Sequence, residues 1–205
     1  GGLNLITTNT ITSGVSSSSF TSNIDSTYDT YLFKFINLHP ASTAKFQVNF
    51  RDGGSNFDAT KTTTHVGAYH RENGAASGLQ YEDGRDLAQG TGYASISDDN
   101  NTDSDHAVNG EMFLFNPSST TFTKHFIART RVEATYTTDG LVAGYANVTA
   151  AIDGVDFKFA SGNIDSGIIK MYGITKYLCL IVCTQQLIQF PFNLMVLLIV
   201  DQIIM

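Results

Sequence analysis

One stretch of the sequence has residue types that could bind a metal ion. Between Ser97 and His106, four acidic residues fall within ten positions. Within this stretch, Asp99, Asn101 and Asp103 alternate with other residues, which is the one-three-five spacing of oxygen ligands in a calcium-binding loop. Carboxylate and amide oxygens are the ligands that calcium prefers in proteins. The spacing therefore predicts a candidate calcium site at these three residues.

The remainder of the calcium-loop pattern is missing. Ser104 occupies the position where the loop needs glycine, and the carboxylate of Glu111 comes one position too late. The sequence on either side predicts no helix. We therefore expect residues 97–106 to form a solvated loop tip, and we keep calcium as the alternative. No other cofactor is expected.

The usual catalytic patterns are absent from the sequence. The sequence contains five histidines: His39, His65, His70, His106 and His125. No two of them have the spacing of a zinc-binding helix. There is no Gly-x-Ser-x-Gly nucleophile elbow and no glycine-rich phosphate loop with lysine. The adjacent carboxylates Glu82 and Asp83 would suit a glycosidase only if such groups faced each other across a groove, and we expect a solvated turn there. The sequence thus predicts a protein that is not an enzyme.

Charge and composition argue against several classes of protein. Only 15% of the residues are charged, and the formal net charge is -7. A chain without a basic surplus is poorly suited to neutralising phosphates, so we expect no nucleic-acid partner. Its polarity comes from Thr, Ser, Asn and Gly instead of the Glu, Lys, Arg and Ala that favour helical bundles. The composition predicts an all-β domain.

A two-residue periodicity is the clearest structural signal. Apolar residues occupy every second position from Ala44 to Phe50, which predicts a strand with one buried and one solvated face. Residues 28–38 predict another strand, which ends at His39-Pro40 because proline has no N–H for a sheet ladder. Its aromatic residues would share one face: Tyr31, Phe33 and Phe35.

Turn signals separate the remaining predicted strands, which cover residues 3–6, 18–21, 62–70, 111–115, 121–138, 141–152, 155–159 and 168–174. Asp139-Gly140 and Asp153-Gly154 are typical of hairpin turns. Residues 71–107 are too long for an ordinary connection, so we expect one long loop excursion with a short helix near 86–89. About eight to ten strands of this kind predict an antiparallel sandwich or a barrel. The alternative is an α+β domain with one helix in the excursion.

The composition divides the chain into a body, residues 1–174, and a tail, residues 175–205. The body contains every glycine and no cysteine, so it cannot depend on intrachain disulfides. The tail contains both cysteines and is rich in Leu, Ile and Val. We interpret the abrupt change as a segment foreign to the fold, produced by a shifted reading frame or by read-through.

Two other interpretations of the tail stay open. It could be a buried terminal strand or a subunit-contact arm, since exposed apolar surface usually marks an interface. It could also cross a membrane, because residues 178–200 carry no formal charge over a sufficient length. Polar residues and Pro191 interrupt that segment and no basic cluster follows it, so we do not expect a membrane partner.

Several stretches of the body together resemble a structural-protein module of marine tailed bacteriophages. The resemblance spans nearly all of residues 3–174 and is carried by turns and strand edges. The stretches are residues 19–22, 24–29, 33–37, 86–89, 114–119, 124–126, 161–167 and 169–174.

The resemblance implies a jelly-roll-like β-sandwich located on the virion, in a tail fibre or associated with the capsid. It implies other virion proteins as partners and a surface glycan of the host as a possible ligand, and it supplies no catalytic residues. Because phage particles repeat their parts, we also expect a homo-oligomer. A carbohydrate-binding or glycan-degrading β-sandwich protein is the alternative function.

Overall fold

The computed structural model describes residues 2–175. This part of the chain is built almost entirely from strands, so the all-β prediction is confirmed. Its strands are β1 (Leu3–Ile11), β2 (Ser18–Phe20), β3 (Thr30–Pro40), β4 (Ala44–Arg51), β5 (Lys61–Arg71), β6 (Ser77–Tyr81), β7 (Ala94–Asn100), β8 (Val108–Phe115), β9 (Lys124–Arg131), β10 (Tyr136–Ala146), β11 (Gly154–Phe159) and β12 (Ile164–Ile174). A short 3₁₀ helix, Asp83–Arg85, lies between β6 and β7.

The strands form two antiparallel sheets that make a β-sandwich. The larger sheet has the order β1-β12-β3-β8-β9-β10-β5-β6, and the smaller has the order β2-β11-β4-β7. Eight of these strands follow a jelly roll, with β1-β12-β3-β8 in one sheet and β2-β11-β4-β7 in the other. In this order, strands of the first half of the chain pair with strands of the second half in reverse sequence order. The first strand, β1, pairs with the last, β12, and the succession ends with β4 paired with β7. The predicted jelly-roll-like sandwich is therefore confirmed.

The four remaining strands widen one sheet only. β5 and β6 are inserted between β4 and β7 of the jelly roll, and β9 and β10 are inserted between β8 and β11. All four extend the larger sheet beyond β8, in the order β9-β10-β5-β6. The larger sheet consequently overhangs the smaller one on that side.

Several local predictions differ from the structure, including the single strand over residues 121–138, which is divided between β9 and β10. Residues 2–175 form twelve strands, because β6 and β7 lie within the stretch expected to be one loop excursion. The helix near 86–89 is wrong, since the only helical turn in the described chain is the preceding 3₁₀ helix. The Asp139-Gly140 turn is also wrong, because both residues lie inside β10. A Cβ at Gly140 would approach His65 Nε2 to 3.1 Å, a tight contact, so packing within a strand accounts for this glycine and a turn does not.

The alternating residues of β3 and β4 are buried as predicted. Tyr31, Phe33 and Phe35 all point into the core, and so do the apolar residues of β4 from Ala44 to Phe50. Their period of two places one face of each strand against the opposite sheet. These two strands thus contribute aromatic rings to the core from both sheets.

The Phe157 ring joins the two sheets at the centre of the core. It projects from β11 of the smaller sheet and is fully buried. Its centroid lies 5.3 Å from that of Phe33 and 5.2 Å from that of Phe35, both on the larger sheet. Within its own sheet it contacts Phe20 at 6.2 Å and Phe46 at 5.7 Å. The contacts with Phe20, Phe33 and Phe35 are edge-to-face and that with Phe46 is stacked, and aromatic contacts of these kinds add to the stabilisation that burial alone provides.

Two lysines are fully buried at one end of the larger sheet. Lys61 on β5 and Lys124 on β9 both lie beside Ala146 of β10. The Lys61 ammonium donates to Asn49 Oδ1 at 2.5 Å and to the Ala59 carbonyl at 2.6 Å. The Lys124 ammonium donates to three successive backbone carbonyls, those of residues 148–150. Burial lowers the pKa of both amines, that of Lys61 to about 8.

The tail predicted at residues 175–205 lies outside the described residues apart from Thr175, so its three interpretations remain predictions. Within residues 2–175, no helix is long and apolar enough to cross a membrane.

Replacing Phe157 with alanine should destabilise the fold strongly. The substitution removes a ring that contacts both sheets, and comparable Phe→Ala changes cost about 3–5 kcal/mol. For a chain of this size each kcal/mol lowers the melting temperature by roughly 2–4 °C. Phe122→Ala is the matched control, because Phe122 is 68% exposed, and it should change the melting temperature little. Equal effects of the two substitutions on thermal denaturation would contradict the central role of Phe157.

Titration of Lys61 should make the fold more stable as the pH rises. The folded protein loses this proton near pH 8, whereas the unfolded chain keeps it up to its ordinary pKa of 10.5. The unfolded state binds more protons in that window, so stability rises there by up to about 3 kcal/mol. Urea denaturation of the wild type and of Lys61→Met at several pH values isolates this contribution. From pH 7.5 to 10.5, the free energy of unfolding of the wild type should rise relative to that of Lys61→Met. A constant difference between the two would refute the lowered pKa of Lys61.

Candidate functional site

The outer face of the larger sheet carries apolar side chains where a solvated face would normally be polar. One row crosses seven strands in register and is apolar on six of them: Leu5, Tyr172, Leu32, Phe113, Ile127 and Ala143, followed by the polar Thr64. Of these, Leu32 is buried by its neighbours, with 3% exposed. Ile127 is 41% exposed, and the nearby Leu141 is 46% exposed. Phe113 stacks on Phe115 with the ring planes 10° apart. Contiguous apolar surface of this kind marks an interaction site in a monomeric protein.

A basic row runs beside the apolar row on the same face. The register aligns Lys170 of β12, Lys34 of β3, Glu111 of β8 and Arg129 of β9. Lys170 and Lys34 lie directly opposite each other on neighbouring strands. Like charges in that position destabilise a sheet, so this pair is not explained by folding alone.

The surface is indented where the basic row crosses β8 and β9. This indentation, the basic recess, has a volume of about 490 Å³. It is lined by residues Lys34, Phe35, Ile36, Gly110, Glu111, Arg129, Arg131 and Tyr172. At its floor, β8 approaches β9 so closely at Gly110 that a Cβ there would lie 2.8 Å from Thr130 Cα. The register of β3 with β8 also shifts beyond this position, which opens the recess.

The cations of the basic recess are only partly neutralised. Arg129 makes two hydrogen bonds with Asp139, from Nε at 2.8 Å and from Nη2 at 2.5 Å. These bonds lower the pKa of the Asp139 carboxyl and raise that of Arg129. Glu111 pairs with Lys34 at 2.5 Å. Arg131 is 55% exposed and approaches Asp139 only to 3.8 Å, so its guanidinium has donors to spare.

A second indentation, the apolar recess, lies at the other end of the same two strands, β9 and β10. It has a volume of about 310 Å³ and is lined by Thr62, Thr63, Thr64, His125, Phe126, Ile127, Ala143, Gly144 and Tyr145. The His125 and Tyr145 rings lie 5.9 Å apart, tilted by 38°. A Cβ at Gly144 would lie 2.8 Å from the Phe126 ring, so glycine makes room for this buried ring.

Amide side chains form a polar rim at the apolar recess. Gln89 donates from Nε2 to the Thr62 hydroxyl at 2.6 Å and lies 3.5 Å from the Tyr145 hydroxyl. Asn147 donates to Gln89 Oε1 at 2.7 Å. Gln89 adopts a left-handed φ of 52°, a conformation that persists only where the surroundings hold it. The rim therefore presents fixed donors and acceptors beside an apolar floor.

A polar pocket lies beneath the overhang on the inner face of the larger sheet. It measures about 320 Å³, and its lining includes Arg85, Asp98 and Thr138. Arg85 forms ion pairs with Asp98 and with Glu82. The nearby His65 is buried, and within the described chain neither of its ring nitrogens has a hydrogen-bond partner. Burial and then the charge of Arg85 lower the His65 pKa, so this ring is neutral at pH 7.

No protein-family model matches the chain, and no curated protein matches it. The fold and the geometry of these surfaces therefore carry the functional argument.

The structure brings together two of the three candidate calcium ligands. Asn101 donates from Nδ2 to the Asp103 carboxylate at 3.1 Å, and its Oδ1 accepts from the Asp103 backbone N–H at 3.0 Å. Asn101 Oδ1 also lies 2.5 Å from His106 Nδ1. Asp99 lies at the end of β7 and pairs with Lys45 at 3.3 Å. Among the residues described, no three His, Cys, Asp or Glu side chains are grouped as a metal site.

Sequence reasoning missed the basic recess because its residues come from β3, β8, β9 and β12. The available signal was Arg129 and Arg131, two cations at alternate positions of one predicted strand. Tyr81 is 61% exposed, and Tyr145 lines the apolar recess. Tyr93 instead donates to the buried Asp156 at 2.7 Å, and burial raises its pKa.

Calcium should leave the melting temperature unchanged. A metal at one hundred times its dissociation constant would stabilise the fold by about 2.7 kcal/mol, an easily measured shift. We expect no shift in the melting temperature, because the Lys45 ammonium pairs with the Asp99 carboxylate and because Asn101 and Asp103 are hydrogen-bonded to each other. Differential scanning calorimetry with millimolar CaCl₂ or MgCl₂ tests this. A calcium-specific rise that Asp103→Asn abolishes would instead establish the site at residues 99, 101 and 103.

Proposed function

We propose that this chain is a structural protein of a phage virion, an attachment domain of the tail fibre or the capsid without enzymatic activity. The observation that supports this most directly is the jelly-roll order of its eight central strands, an arrangement that viral capsid and lectin domains use. The resemblance of residues 3–174 to phage structural modules agrees with it. Flanking genes for tail or capsid proteins would be further support.

Self-association is part of the proposal, and the two edges of the larger sheet suit it. β1 and β6 form opposite edges, so joining one to the other would be a heterologous contact that repeats from copy to copy. All five residues of β6 are exposed, including Leu79 at 78%. On β1, Leu3 and Leu5 are 53% and 56% exposed. Edge strands with exposed apolar residues and no covering element readily pair with another chain.

A carbohydrate-binding protein is the second candidate, because the two recesses lie on one exposed face. The geometry favours binding over glycan degradation. A glycosidase needs one carboxyl with a raised pKa to act as general acid. In the basic recess the Asp139 pKa is lowered by Arg129, and Glu111 is paired with Lys34.

Charging the β6 edge should dissociate the assembly. The Leu79→Lys substitution places an ammonium on a strand whose residues are all exposed, so it should disturb the fold little while opposing strand pairing. Size-exclusion chromatography with light scattering on the full chain should show an oligomer for the wild type and mainly monomer for the variant.

The matched control is Thr137→Lys, which adds the same charge to an exposed residue on the same sheet, away from its edges. It should leave the oligomer mass unchanged. A wild type that stays monomeric at the highest attainable concentration would contradict the self-associating role. If both substitutions dissociate the oligomer, the contact lies on the face of the sheet and not at its edge.

A further inference from the structure

We propose that the outer face of the larger sheet binds an acidic polysaccharide, a chain of uronic acid or similarly carboxylated sugars, along β9 and β10. The proposal deepens the attachment role proposed above and names its ligand class. It rests on the basic recess and the apolar recess occupying the same two strands.

The distance between the recesses suits a short oligosaccharide. Arg129 in the basic recess and His125 in the apolar recess are four residues apart on β9 and point to the same face. Four residues of an antiparallel strand span about 13 Å. Ile127 lies between them and provides an apolar floor. Both volumes, 490 and 310 Å³, fall in the size range of about 300–1,000 Å³ typical of small-ligand sites.

The charge pattern selects an anion. Lys34, Lys170, Arg129 and Arg131 converge on this surface against Glu111 and Asp139. The surface is therefore net positive on a chain whose formal charge is -7. Lys34 is already paired with Glu111, so a bound carboxylate would act mainly on Lys170 and on Arg131, whose guanidinium can recognise a carboxylate in a bidentate way.

The apolar recess selects a sugar over a simple anion. Sugar rings have hydroxyls at their rim and an apolar C–H face, and this recess has the matching arrangement. The Tyr145 ring and Ala143 supply apolar contact, while Gln89 and Asn147 supply donors and acceptors beside them. Aromatic rings with a polar end are well suited to such mixed surfaces.

A second copy of the chain fits this face less well. An isologous contact would place the same patch on both partners, so the basic row would meet another basic row. Such like-charge juxtaposition opposes association. The concave recesses would also remain unfilled against a flat sheet.

Isothermal titration calorimetry of the full chain with a galacturonate hexamer tests the proposal. We expect saturable binding that weakens as salt rises, no binding of the neutral hexamer of glucose, and no release of reducing ends. Arg131→Gln should weaken binding at least tenfold, and Tyr145→Ala should weaken it several-fold. Arg131 and Tyr145 are both surface residues of strands, so neither change should unfold the protein, which the melting temperature verifies.

The matched control is Arg71→Gln, which removes the same charge from an exposed residue on the inner face of the same sheet. It should leave binding unchanged within a factor of two. Absence of galacturonate binding, or equal weakening by the Arg71 and Arg131 changes, would overturn the proposal. Equally tight binding of polyaspartate would overturn the sugar specificity.

The oligomer mass, measured on the same samples, separates this proposal from the proposed function. Arg131→Gln should leave the mass unchanged. If that change dissociates the oligomer, the face is an interface between copies and the ligand proposal is wrong. If the wild type is monomeric and still binds galacturonate, the ligand proposal stands and the self-associating role fails.

Discussion

The packing of aromatic rings between the two sheets is the constraint on which the rest of the structure depends. Phe157 contacts rings from both sheets, and its partners come from β2, β3 and β4, far away in the chain. None of these strands can bury its aromatic face by pairing with its sequence neighbours alone. The jelly-roll order solves this, because pairing the first half of the chain with the second half brings β11 beside β2 and β4 and opposite β3. With no cysteine in the body, this burial has no disulfide to assist it.

The inserted strands explain why the molecule has surfaces unlike those of a minimal sandwich. β9, β10, β5 and β6 extend the larger sheet beyond β8. The inner faces of β9 and β10 still pack apolar residues such as Phe126 and Val142 into the core, whereas β5 places Thr63 and His65 on its inner face. The polar and charged groups near β5 include Arg85, which pairs with Asp98 of β7, and buried Lys61 and Lys124 lie at one end of the larger sheet. Each lysine satisfies its charge with carbonyl or amide oxygens, as a buried ammonium requires.

The sequence predicts the layers of this fold much better than it predicts its surfaces. A period of two was sufficient to assign the buried faces of β3 and β4, because each face depends on one strand alone. Gly140 was misassigned to a turn because the His65 side chain of a neighbouring strand accounts for the glycine there. The local sequence pattern does not reveal that contact. The basic recess is harder still, since Lys34, Gly110 and Arg129 meet only once the register of three strands is fixed. Of the candidate calcium ligands, Asn101 and Asp103 are close in sequence and are hydrogen-bonded to each other, whereas Asp99 forms an ion pair with Lys45 of another strand.

Residues on the outer face contribute less to the stability of the fold than residues in the core do, and this difference points to a binding role for the outer face. Removing Ile127 or Leu141 from water would be favourable, yet the described chain leaves both over 40% exposed. Placing Lys34 opposite Lys170 costs stability in the unbound protein. A fold that needed only to be stable would exchange these residues for polar and oppositely charged ones at no loss to the core. Their combination on one face, apolar and cationic side by side, suits the carboxylated sugar chain proposed above, whose C–H faces would cover the apolar residues and whose carboxylates would pair with the cations.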